Sequence, residues 1–117
     1  MFALEDDEAS DCLLGRSAPM PGYLGARIAD RTRVYWVEFC IDDVVLCGDE
    51  VAKIEACCQQ SGELFACVRP CTKVSDVSRQ AGVYRIASDM IVWVGSLLVH
   101  SLAWRERSDG TLLVVRR

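Results

Sequence analysis

The sequence predicts an all-β protein, a small antiparallel SH3-like barrel, and three observations predict it. Two alternating runs flank a polar turn between residues 51 and 70. Strand-forming runs follow one another at short spacing with Gly, Asp and Ser between them. An Asp-Gly pair near the C-terminus has the composition of a hairpin loop. Strands without covering helices must hide their apolar face by packing on themselves, which a barrel does. A β-sandwich is the alternative architecture.

The first of these stretches, Val51 to Pro70, reads as the central β-hairpin, with Gly62 in its turn. Ala52, Ile54, Ala56 and Cys58 share one face of the first run, while Lys53 and Glu55 take the other. In the second run Leu64, Ala66 and Val68 oppose Phe65, Cys67 and Arg69, so one face is expected buried and the other wet. Register must keep the apolar sets together, which places Cys57 opposite Cys67 or one pair away. Pro70, having no N–H to donate, is expected to end the ladder.

Around this hairpin the chain is read in order. Residues 1 to 27 begin acidic, with Glu5, Asp6, Asp7 and Glu8, and continue through Gly15, Pro19, Pro21, Gly22 and Gly25. They are expected to form an irregular N-terminal arm, leaving residues 28–117 as a single barrel domain. From Arg33 to Ile41 a β-branched and aromatic run predicts one strand, with Tyr35, Val37, Phe39 and Ile41 on one side and Trp36, Glu38 and Cys40 on the other. Val44-Val45-Leu46 is a short strand, and Cys47 to Glu50 a tight turn into the hairpin. Lys73 to Gly82 is polar and reads as the long loop. Val83 to Ile86, Met90 to Val94, a face of Leu98, His100, Leu102 and Trp104, and Leu112 to Arg116 complete the set. A two-residue Asp109-Gly110 loop would set Trp104 and Glu106 beside Val115 and Leu113.

Composition narrows the function. With 51% hydrophobic and 26% charged residues among 117, the chain suits one globular domain. A net charge of −4 and no long Lys/Arg run make nucleic acid a poor ligand. The early acidic residues argue against a secretory signal and for an intracellular protein. The apolar stretch from Met90 to Trp104 falls short of the ~20 residues that a spanning helix needs, so no membrane partner is expected. Seven cysteines, an odd number in a reducing compartment, point to buried thiols before disulfides.

No residue set spells out a reaction, and neither a catalytic residue nor a cofactor is expected. His100 is the only histidine, and a structural position between Leu98 and Leu102 suits it. Zinc would need Cys57, Cys58, Cys67 and Cys71 to converge with Cys40, Cys47 or His100. Only Cys67-x₃-Cys71 approaches the spacing of a knuckle, so a small zinc protein is a further alternative and no metal ligand is assigned. A cluster of aromatic rings could hold a cationic side chain. Alternation turns Tyr35, Phe39 and Trp104 inward and leaves Trp36 and Phe65 as exposed candidates, to which Tyr84 or Trp93 could be added, with Glu38 to balance the charge, against the plainer reading that such rings fill the core. Apolar outer residues Trp36, Phe65, Leu112 and Val114 could instead form an oligomer interface.

The order of features adds a resemblance. An apolar strand with Val44-Val45-Leu46, a tight turn, then Val51-Ala-Lys-Ile-Glu55, a polar turn with Gly-Glu-Leu-Phe, and Val68-Arg69-Pro70 resemble the core of a BAH (bromo-adjacent homology) domain. Ile86 to His100 is similar to the strand pair that precedes that family's closing strand. Similar hairpins occur in barrel domains near the C-termini of transposon-encoded proteins. Cys71-Thr72-Lys73 stand where the family usually has aromatic residues. The resemblance implies a non-catalytic interaction module of chromatin-associated proteins, nuclear, binding a peptide or partner protein. The runner-up role is a structural subunit that oligomerises or docks on a larger assembly.

Overall fold

The computed structural model describes residues 11–95 and 100–115. The acidic run at Glu5 to Glu8, Leu98 and Arg116 lie outside them. Ten strands make up the order: β1 (Cys12–Pro19), β2 (Ala26–Val34), β3 (Val37–Cys40), β4 (Val44–Cys47), β5 (Glu50–Gln60), β6 (Glu63–Asp76), β7 (Ala81–Ile86), β8 (Ile91–Val94), β9 (His100–Glu106) and β10 (Leu112–Val115). Every pairing is antiparallel. No helix among the described residues is long and apolar enough to cross a bilayer.

Strand pairing closes a ring in the order β4, β5, β6, β7, β10, β9 and back to β4. The all-β expectation holds, and the central hairpin is β5–β6, turning at Ser61 and Gly62 with φ of 52° and 81°. Two consecutive left-handed residues are the geometry of the mirror-image turn whose twist matches the strands.

The hairpin is longer than the ring and belongs to two sheets. One edge of β5 pairs with β4 at residues 50–53 and with β2 at residues 57–60. One edge of β6 likewise pairs with β8 at residues 65–68 and with β7 at residues 71–76. A second, flared sheet therefore runs β1, β2, β5, β6, β8, with β3 beside β2. At the change of partner on β5, the backbone of Ile54 accepts from Asp42 N at 2.8 Å and donates to Asp43 O at 2.8 Å. Pro70 marks the change on β6. Its carbonyl accepts from Ala87 N at 2.9 Å, and in a strand the N–H would point to that same edge. A missing donor there costs the β5–β6 ladder nothing, so the ladder continues past Pro70 to Cys71, contrary to the expectation that it would stop.

A bulge at Glu55 carries the bend. Ile54 pairs with Val68, but Ala56 pairs with Cys67, leaving one extra residue on β5. Side-chain parity inverts across it. Ala52, Ile54, Cys57, Ala66 and Val68 join one core, whereas Ala56 and Cys58 turn to the opposite face, where simple alternation had not put them. Cys57 lies opposite Ala66, one pair from Cys67, as its spacing predicts.

The expectation of one wet face also gives way, because two cores lie on the two sides of the hairpin. Inside the ring Val44, Val51, Tyr84, Leu112 and Val114 pack with Leu46, Cys71, Ile86, Leu102 and Trp104, one or more from each of its strands. Outside it Val45, Ala52, Ile54, Val68 and Cys57 pack under Val34, Phe39 and Trp93. Double-sided burial explains the uninterrupted apolar runs Val44-Val45-Leu46 and Val51-Ala52.

Four local expectations are corrected. The irregular arm is not irregular over residues 12–19, which form β1 and pair with β2, itself beginning at Ala26. The strand expected from Arg33 to Ile41 is broken at Tyr35-Trp36 into the β2–β3 hairpin. The long loop expected from Lys73 to Gly82 is mostly strand, with residues 77–80 as its turn and Val77 N donating to Ala81 O. At the last hairpin Gly110 N donates to Arg107 O and Arg107 N to Thr111 O, with Gly110 left-handed at φ 85°. That is a three-residue loop, closed by Asp109 Oδ1 accepting from Thr111 N at 3.0 Å. The register is one residue from that of a two-residue loop, with Glu106 opposite Leu112 and Trp104 opposite Val114. Leu112 and Val114 consequently face the ring interior, fully buried, and are not outer residues.

Ile54 is fully buried at the bend, so Ile54→Ala is expected to lower the unfolding free energy by about 2–5 kcal/mol, measured by urea titration. Val37→Ala, at an exposed position on β3, should stay within about 0.5 kcal/mol of the parent.

Candidate interaction face and its thiols

Antiparallel partners directly opposite one another project to the same face of a sheet. Across the flared sheet one such row runs Ala18, Ile28, Cys58, Phe65, Val94, and the next holds Ala56, Cys67 and Val92. The opposite face carries Ala29, Cys57, Ala66 and Trp93 in the corresponding row. That second row is buried. The first two rows, on the other face, are covered unevenly: Cys58 is fully buried and Ile28, Phe65 and Cys67 half-buried, whereas Val92 is 62% and Val94 53% exposed. Glu63, on the same alternation as Phe65, forms a polar rim at the hairpin turn. Strand β8 ends the sheet, with no further strand beside it among the described residues.

The expected aromatic cluster is not assembled. Tyr84 is buried inside the ring and Trp93 in the core on the other side of the hairpin. Phe65 and Trp93 stand on neighbouring strands but project to opposite faces, since Phe65 pairs with Val94 while Ala66 pairs with Trp93. Trp36 is 70% exposed at the β2–β3 turn. Glu38 is exposed on β3 and lies 3.7 Å from Arg31 Nη1. Burial decides this arrangement: a ring that fills a core leaves no face for a cation.

Tyr35 and Trp36 take φ of 49° and 71°, the same left-handed pair as Ser61-Gly62. Asp11 Oδ1 accepts from Tyr35 N at 2.9 Å, and Tyr35 is 65% exposed, although alternation placed it inward. Asp11, Tyr35, Glu63, Leu64 and Val94 line an open groove between this turn and that of the central hairpin. Large side chains strain the left-handed region, which favours Gly or Asn.

A charged cluster closes one end of the ring. Lys53 Nζ sits 5.6 Å from the Trp104 ring centroid, 3.0 Å from Asp42 Oδ1 and 3.8 Å from Glu55 Oε2. Arg69 Nε reaches Glu55 Oε1 at 3.1 Å. The carboxylates neutralise a lysine whose stem lies along the ring interior, an arrangement that needs no ligand to account for it.

No disulfide joins any of the seven cysteines. Among the described residues no three His, Cys, Asp or Glu side chains gather as a metal site, so the convergence that the zinc alternative requires is not formed there. Cys57 and Cys58 project to opposite faces, and His100 is exposed at the start of β9. Burial pushes both the Cys57 and the Cys58 thiol up to about 12 and Cys71 to about 11. Neighbouring Cys67 adds to the effect at Cys58. Phe65 belongs to a face that sequence reasoning missed, because only the pairing of β2, β5, β6 and β8 assembles it. No protein-family profile, curated protein or solved structure matches the chain.

Replacing Trp36 by Gly relieves a left-handed tryptophan and is expected to raise the unfolding free energy by about 1 kcal/mol in urea titration. The raised thiols tie stability to alkaline pH. The folded state keeps them protonated while the unfolded chain ionises from about 9.0 upward, so their contribution is complete below that value. It should fall as pH rises toward about 12, and Cys57→Ala should flatten the decline in unfolding free energy measured between these limits.

Proposed function

We propose that the chain is a non-catalytic protein-interaction module, BAH-like in its central hairpin, that docks a partner protein through the outer face of the flared sheet. One observation carries the reading: on one face of four paired strands Ile28, Phe65, Cys67, Val92 and Val94 leave apolar surface open around the fully buried Cys58. Apolar surface of this kind, rimmed by polar groups such as Glu63, is characteristic of docking faces. The open edge of β8 adds a place where an extended segment could pair, its own side chains offering apolar contact. A chromatin-associated partner in the nucleus is what the BAH resemblance favours, and the carboxylates of Asp11 and Glu63 at the rim suit a basic one.

The exposure of Val92 and Val94 also favours a second reading, in which the occupant is another copy of the chain and the protein is a structural subunit. An isologous contact would set the same row against itself.

Both readings place Phe65 at the centre. In pull-downs with core histones and on a histone-peptide array, wild type is expected to bind, and Phe65→Asp to weaken binding at least about tenfold with an unchanged far-UV spectrum. Light scattering after size exclusion separates the second reading, for which wild type elutes as a dimer and Phe65→Asp as a monomer. A monomeric wild type that binds no histone or histone peptide, or a Phe65→Asp protein indistinguishable from the parent in both experiments, overturns the assignment.

A further inference from the structure

We propose that Cys58 and Cys67 form a redox pair on the outer face of the flared sheet, which a hydroperoxide closes into a disulfide. The bulge at Glu55 creates the pairing. Without it Cys57 would share a face with Cys67; with it Ala56 stands opposite Cys67, and Cys58 becomes the same-face diagonal neighbour two residues on. Cys67 is close enough that, after burial, it adds to the upward shift of the Cys58 thiol. Cys57 is directed into the core on the other side, against Ala66.

Exposure divides the roles. Cys67 is half-buried and reachable, whereas Cys58 is fully buried and held protonated, so the first attack belongs to Cys67. Its thiolate sulfur attacks one peroxide oxygen, the O–O bond breaks, and hydroxide leaves, giving a sulfenic acid on Cys67. The Cys58 sulfur then displaces that oxygen: the S–S bond forms, the S–O bond breaks, and water departs with the Cys58 proton. Two thiols are oxidised and one hydroperoxide is reduced, to two waters in the case of hydrogen peroxide. A diagonal pair must draw closer to meet disulfide geometry, and the bulge three residues before Cys58 is where β5 can yield.

The proposal is independent of the docking reading, because it is tested on the isolated chain. Reduced protein is treated with hydrogen peroxide, blocked with an alkylating agent and cleaved after glutamate, which at Glu63 separates Cys57-Cys58 from Cys67. Wild type is expected to give a cross-linked peptide pair, lighter than the two reduced peptides by two hydrogens and released by dithiothreitol. Cys58→Ala and Cys67→Ser should each bring the cross-link to background, with Cys67→Ser also losing sulfenic-acid labelling in native protein, while Cys57→Ala retains both. A cross-link that survives Cys58→Ala but not Cys57→Ala, or Cys67 oxidised with no cross-link in wild type, overturns the assignment.

Discussion

The bend in the β5–β6 hairpin is the constraint from which the rest of the structure follows. A flat ribbon of this length could serve one sheet. With an extra residue at Glu55 and a proline at position 70, it serves two, because each strand changes its outer neighbour where its backbone can bear the change. On β5 the Asp42-Asp43 turn fills the gap through both polar groups of Ile54. On β6 the residue at the gap needs no donor. Neither device adds much energy by itself. Together they leave the ladder intact while the sheet divides, and the two cores form on either side of it.

That division also explains how much the sequence disclosed. Strand content and the order of short runs were legible, since β-branched residues, alternation and Gly-containing turns mark them directly. Side-chain direction on β6 was legible, with Ala66 and Val68 turned to the core and Phe65 and Cys67 away from it; on β5 it was legible up to Ile54 and then failed, because one unpaired residue reverses the rest of that strand and has no signature of its own in an alternating run. Leu112 and Val114 failed for the same reason at the other end of the chain, where Gly110 serves a three-residue loop and not a two-residue one. Tyr35 and Trp36 misled more strongly. Both are strand-forming types, and nothing local announces that they take the left-handed turn that Ser61 and Gly62 occupy with less strain.

The outer face of the flared sheet was illegible for a different reason. Its row draws one residue from each of several strands far apart in sequence, so no window of the chain contains it. Phe65 stood out only as an aromatic residue sharing an alternation with Arg69. Burial of Tyr84 and Trp93 removes the cationic cage as a site, and the pairing of Phe65 with Cys58 and Val94 supplies a broader apolar surface in its place. The same register turns Cys58 toward Cys67.

Closure of the ring has a kinetic side. The contacts of β5 with β6, and of β9 with β10, join neighbours and can zip locally. The seam between β4 and β9 joins Val44 to Leu102, across half the chain, and rewards loop-closure entropy only after those segments have been brought together. Assembly is therefore governed by its most distant seam, and until that seam closes, the strands that will line the interior stand open to water and to each other's copies.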